Sequence, residues 1–147
     1  MKSVFQPETR RELHERLAGL DPRTPARWGR MNAPRMVCHL LDSARMAVGE
    51  LAVAPKWVPI RYPPLKQLAI YWIPMAKGLP TAPELIDRVP ASWDADVSAL
   101  RAALDRVGQR PAGEAWPDHP AFGPMTGHAW GVLVYRHSDH HLRQFGV

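Results

Sequence analysis

Residues 126–144 read TGHAWGVLVYRHSDHHLRQ, and this stretch decides the fold. Thr126 is a good helix N-cap, and nothing after it breaks a helix before Gln144. With about 100° per residue and His137 set at zero, Trp130 falls near +20°, Leu133 near −40° and Gln144 near −20°. On the same wheel His141 lies near +40° and His140 near −60°, while Tyr135 and Asp139 lie opposite, at about 160–200°. One face therefore joins apolar side chains to imidazoles, and Trp130 and Leu133 should turn that face inward.

Three more helices are predicted upstream. The first starts after Gln6, with Pro7 in its first turn, and stops near Gly19, ahead of Asp21-Pro22. Leu13, Leu17 and Leu20 supply its apolar spacing. The second starts at Asn32, with Pro34 tolerated in the first turn, and ends before Pro55. Val37, Leu40, Leu41, Ala44, Ala47, Val48 and Leu51 form its stripe. The third starts at Ser92, with Asp94 and Asp96 at the positive end of the dipole, and closes near Gly108. Eight of the 16 prolines fall between Pro55 and Pro90. They mark a long irregular crossover between the second and third helices, within which residues 65–77 can form a shorter helix limited by Pro74. No run of alternating apolar and polar residues argues for a strand. The expectation is an all-α four-helix bundle with a long Pro-rich crossover, one domain over residues 1–147.

The composition excludes several classes. Cys38 is the single cysteine, so no internal disulfide and no cysteine-rich zinc site can form. The 19 basic and 14 acidic residues give a net charge of +5. The arginines are scattered in runs no longer than two, which reads as a solvated surface and not as a nucleic-acid interface. The N-terminal residues MKSVFQPETRREL lack the apolar core of a signal peptide. The longest apolar run, residues 68–76, contains Pro74 and falls short of the roughly 20 residues a spanning helix needs. A cytoplasmic protein with no membrane partner is the default.

Seven histidines stand out, four of them in the last 20 residues. His137 and His141 at i and i+4 can ligate one metal together. They supply two ligands, and His39 on the second helix is the candidate for a third, at or just beyond the edge of that helix's core face. The same cluster also reads as cations stabilising a helix C-terminus, and His39 as an ordinary hydrogen-bonded core residue. His14 and His128 read as surface residues. His119, before Pro120, either reaches the end of the bundle or serves as a turn residue. Asp42, one turn from His39, either accepts from its second ring nitrogen or is a surface carboxylate. Cys38 lies about 100° from His39 and points away from it.

Residues 28–43, WGRMNAPRMVCHLLDS, resemble the second-helix motif of the DinB-like (YfiT-like) superfamily of four-helix-bundle, metal-dependent hydrolases. Residues 119–131, HPAFGPMTGHAWG, continuing into HSDHHLRQFG at 137–146, resemble one uncharacterised branch of it. Ala129 departs from the pattern, since relatives tend to carry an acidic residue there. The resemblance implies a divalent metal, zinc or nickel, on His39, His137 and His141, with His140 as the alternative. It implies chemistry on a small molecule, hydrolysis or transfer involving a low-molecular-weight thiol. A homodimer is expected because the crossover holds more Trp and Tyr than a small bundle can easily hide, and such exposed apolar patches usually mark an interface; relatives are often dimers. A non-enzymatic metal-binding or stress-associated protein is the competing expectation. The aromatics of the crossover, Trp57, Tyr62, Tyr71 and Trp72, are expected to line a pocket over the metal, with His119, Trp130 and His140 nearby, or else to be a plain packing cluster.

Overall fold

The structure, a computed structural model, describes residues 1–78 and 80–147. It is all-helical among the described residues. Five α-helices follow in order: α1 (Pro7–Ala18), α2 (Ala33–Ala47), α3 (Leu65–Gln67), α4 (Trp93–Gln109) and α5 (Gly127–Gln144). α3 runs on into a wider π-helical turn, Leu68–Trp72. Two single 3₁₀ turns, Pro59–Arg61 and Pro83–Leu85, punctuate the connection between α2 and α4. No helix among these is long and apolar enough to cross a membrane.

The helix starts are set by the side chains that satisfy otherwise orphaned backbone N–H groups. Asn32 accepts from Arg35 N at 3.0 Å, Ser92 from Ala95 N at 3.4 Å and Thr126 from Ala129 N at 3.2 Å. Pro7 begins α1, where its missing N–H costs nothing. These four starts are the predicted ones. The helix expected over 65–77 is shorter, because Ile73 is extended (φ −73°, ψ 129°) ahead of Pro74. The proline ring disfavours helical backbone in the residue before it.

The four long helices pack in pairs: α2 meets α4 and α5, and α1 meets α4 and α5. Leu13 and Leu17, Val37 and Leu40, Leu100 and Leu104, and Trp130 and Leu142 close into one contiguous core. Trp130 is fully buried, and its indole N–H donates to Pro117 O at 2.9 Å. Burial of each large apolar side chain contributes about 1.5–3 kcal/mol.

α2 departs from the expected amphipathic pattern. Its core face is broader than the stripe read from the sequence: His39 (4% exposed), Asp42 (3%) and Ser43 are buried along with the apolar residues. The cause is the segment around Pro83–Leu85, which lies on α2 and covers the face that α4 and α5 leave open. His39 is therefore an interior residue, not one at the edge of the core.

The start of α5 is pressed tightly by its neighbours. A Cβ placed on Gly127 would stand 2.4 Å from Ala112 O and 2.5 Å from Trp116 Nε1. Helix propensity alone favours alanine over glycine by up to about 1 kcal/mol. Here the clash with a backbone carbonyl outweighs it. Gly127→Ala should lower the unfolding free energy in urea by about 1–3 kcal/mol; an unchanged or raised midpoint would contradict this packing.

Candidate metal centre

His39 comes from α2, and His137 and His141 come from one face of α5, a turn apart. The three rings meet with centroids 4.8–4.9 Å apart. His137 Nε2 lies 3.0 Å from His39 Nε2 and 3.1 Å from His141 Nε2. The three nitrogens all fall within 4.8 Å of one another. Two nitrogens bound to a single tetrahedral zinc at about 2.0–2.1 Å lie about 3.3–3.4 Å apart, so the cluster needs only small ring rotations to reach that spacing.

The hydrogen bonds behind the rings fix which nitrogens carry protons. His39 Nδ1 faces Leu85 O at 3.0 Å, and a carbonyl oxygen can only accept, so Nδ1 holds the proton. Gln144 Nε2 donates to Trp28 O at 2.7 Å, which turns the amide oxygen toward His141 Nδ1 at 2.8 Å. His141 Nδ1 is thus also a donor. Both rings, when neutral, present a bare Nε2 lone pair to His137. That histidine can offer at most one proton between two acceptors. A cation at the meeting point satisfies all three nitrogens at once, and the Nδ1–H···O=C arrangement is the usual support for an imidazole ligand. The donor set fits a divalent metal.

The surroundings keep the rings neutral. Burial pushes the pKa of His39 down, against smaller opposing effects of Leu85 O and Asp42. Burial also drives His137 well below the ordinary histidine range, helped by its neighbours His39 and His141. His141 is pushed down to about 3, again chiefly by burial. A charged cluster stabilising the α5 C-terminus is therefore disfavoured, because three imidazolium ions cannot share so small a desolvated space.

The remaining expected residues are placed differently. Asp42 does not accept from His39. Its carboxylate takes Arg88 Nε at 2.9 Å and Arg88 Nη2 at 2.8 Å, and Arg45 Nη1 at 3.0 Å. Leu85 O occupies the position that Asp42 was expected to fill. Asp42 works at one remove, since its ion pair holds Arg88, three residues beyond the carbonyl that orients His39. His140 packs edge-on against Trp28 and His141, at 5.9 and 5.2 Å, and stays outside the group of three.

Of the crossover aromatics, Trp57 (75% exposed), Trp72 (73%) and Tyr62 face solvent. Tyr71 is half-buried and stacks on His128, which is itself exposed. The π-helical turn carries Ile70 inward, where Arg136 donates to the carbonyls of Ala69, Ile70 and Ile73. That orientation leaves Trp72 outside. His14 is half-buried and paired with Asp105 at 3.0 Å. Burial pushes the Cys38 thiol up to about 11, so it is no nucleophile.

His119 is a turn residue whose ring packs against Trp130 at 5.2 Å. Its Nδ1 accepts from Ala121 N at 3.1 Å and Phe122 N at 3.2 Å. Nothing in the sequence marks Leu85, whose contribution is a main-chain carbonyl. Gln144, three residues after His141 and on the same face, was detectable from its position on the helical wheel. Comparison with protein-family models, with curated proteins and with solved structures found no match for this chain.

Two outcomes follow from this geometry. Purified untagged protein should take up about one equivalent of zinc or nickel. His137→Ala should abolish uptake, His14→Ala should keep it, and Gln144→Ala should weaken it about 10–100-fold. Equal metal content in all four proteins, measured by elemental analysis, would refute the site. Separately, burial and then the charges of Arg61 and Lys66 push His119 down to about 4. Its folded pKa lies below the unfolded value near 6.5, so its contribution is present above about pH 6.5 and is lost as pH falls toward about 4. Protonation of Nδ1 breaks both turn hydrogen bonds. Urea unfolding should show a loss of at most about 1.4 kcal/mol per pH unit from this residue in that window. The slope should be smaller in His119→Asn, whose amide oxygen still accepts, and an identical slope would contradict the assignment.

Proposed function

We propose that this chain is a four-helix-bundle enzyme of the DinB-like type that binds zinc or nickel through His39, His137 and His141 and acts on a small electrophilic molecule. The observation that carries the reading is the pair of fixed tautomers: His39 and His141 each spend their Nδ1–H on an oxygen and turn Nε2 into the same small space. The pairing of α1 and α2 with α4 and α5, and the two sequence motifs, support the family assignment.

Three neutral imidazoles bring no negative charge, so the site retains the full charge of a divalent ion and favours an anionic fourth ligand. When bound, the ion would supply a Lewis acid and lower the pKa of a water or a thiol toward neutrality. The chain's own residues do the rest. Leu85 O and Gln144 hold two imidazoles in their ligating tautomer. Burial keeps all three neutral, which removes the competition of protons for the ligating lone pairs. Asp42 and Arg88 hold the segment that brings Leu85 to His39. The substrate chemistry that fits is attack by a low-molecular-weight thiol or by water on a carbonyl or similar acceptor.

A second reading is a metal-binding protein without turnover, which needs only the same three ligands. One surface cleft of about 300 Å³ lies between α1 and α4, lined by Leu17, Trp93 and Arg101 among others. Another of about 240 Å³ lies beside Met46 and Pro120.

A panel of thiols with electrophilic acceptors, run beside simple esters and amides, separates the two readings. Metal-loaded protein should turn over at least one acceptor, and His141→Ala should lose that rate by about 100-fold or more, as removal of a catalytic metal does. Equal turnover in both proteins would take the metal out of the reaction. No turnover of any acceptor by metal-loaded protein would favour the non-enzymatic reading.

A further inference from the structure

The segment between α2 and α4 carries a second feature, independent of the histidine cluster. Trp57, Tyr62, Leu65, Leu68, Trp72 and Ile73 are all exposed, within 17 consecutive positions. Leu65, Leu68 and Trp72 stand at i, i+3 and i+7 of one short helical stretch and so share a face. That face is turned outward. The inward anchor is Ile70, and Arg136 ties the carbonyls of Ala69, Ile70 and Ile73 to α5. An amphipathic stretch with its apolar side in water is costly unless something covers it.

Charge tells what covers it. Residues 51–83 contain Lys56, Arg61, Lys66 and Lys77 and no aspartate or glutamate. None of these four forms an ion pair among the described residues. Arg61 donates to Pro120 O and covers the Trp57 ring at 4.6 Å, while Lys66 donates to Pro124 O, so neither is met by a carboxylate. Lys56 and Lys77 are exposed. Glu84, the first acid after the segment, accepts from Ala54 N at 3.0 Å. The segment is thus apolar on its outer side, carries exposed tryptophan and tyrosine, and is net basic, with Lys77 over the Trp28 ring at 4.3 Å and the Glu84 carboxylate beside Lys56.

We propose that this face docks on an anionic lipid bilayer surface. Tryptophan and tyrosine suit the headgroup level, aliphatic side chains suit the acyl boundary, and basic side chains meet anionic headgroups. A second copy of the chain fits less well. A two-fold contact apposes the same patch on both partners and would set four positive charges against four. A nucleic acid would use the charges and the aromatic rings but has nothing to cover Leu65, Leu68 and Ile73.

Sedimentation with vesicles tests this. The protein should bind vesicles of equal parts phosphatidylglycerol and phosphatidylcholine, and not vesicles of phosphatidylcholine alone. Binding should weaken as salt rises from about 0.1 M to about 1 M, where the screening length falls from about 10 Å to about 3 Å. The double variant Leu68→Ser/Trp72→Ser should lose binding about tenfold or more, and Lys56→Glu/Lys77→Glu should lose it as well. Val89→Ser, at an equally exposed residue outside the segment, should bind as the parent does. Because all the altered side chains are exposed, circular dichroism should be unchanged in every variant. Three results would overturn the proposal. The first is equal binding to both vesicle types, or binding that Leu68→Ser/Trp72→Ser leaves intact. The second is a concentration-dependent rise above the 16.5 kDa monomer mass that this variant abolishes, which would make a second copy the occupant. The third is a single-stranded oligonucleotide that displaces the vesicles and still binds that variant.

Discussion

Three imidazoles packed against one another, one buried and two half-buried, with too few protons to satisfy them, are the constraint on which this structure turns. Burial keeps His39, His137 and His141 neutral. The oxygens behind His39 and His141 then decide that both turn lone pairs inward. Each of those oxygens belongs to a segment that must be held in place. Leu85 O is held because Arg88 is locked on Asp42. The Gln144 amide is held because its nitrogen donates to Trp28 O, which ties the chain before α2 to the end of α5. Much of what surrounds the site therefore has a direct physical task in orienting three rings.

The helices were legible from the sequence because their starts depend on local chemistry. Asn32, Ser92 and Thr126 each accept from the backbone three residues on, and such a bond depends on the residue type alone. The pair His137 and His141 was legible for the same kind of reason, since i and i+4 share a face whatever packs on it. His39 is a candidate by position, but the wheel sets it at the edge of the core where the structure buries it. The helical wheel shows where the apolar residues are, and it cannot show that a distant segment will cover the polar side.

Two expectations failed for related reasons. Asp42 has the sequence position of an acceptor for His39, yet it pairs with Arg45 on its own helix and, bidentately, with Arg88, 46 residues away. A carboxylate takes the nearest bidentate guanidinium when one is supplied, and sequence gives no warning of its arrival. The aromatics Trp57, Tyr62 and Trp72 have the composition of a pocket wall. Composition alone does not tell whether such side chains line a pocket or face solvent, and Trp72 lies in a short helical turn whose outer side the sequence does not mark. Here the carbonyls at the end of the π-helical turn bind Arg136, and that interaction fixes which side faces out.

The tautomers of His39 and His141 are what would let three histidines serve as ligands. Long-range ¹H–¹⁵N correlation spectra of the imidazoles read them directly in the metal-free protein at neutral pH. The account predicts Nδ1–H forms for His39 and His141, with the Nε2 resonances of His39, His137 and His141 moving together on addition of one equivalent of zinc. An Nε2–H form for His39 or His141, or zinc shifts centred on His14, His119 or His128, would contradict it.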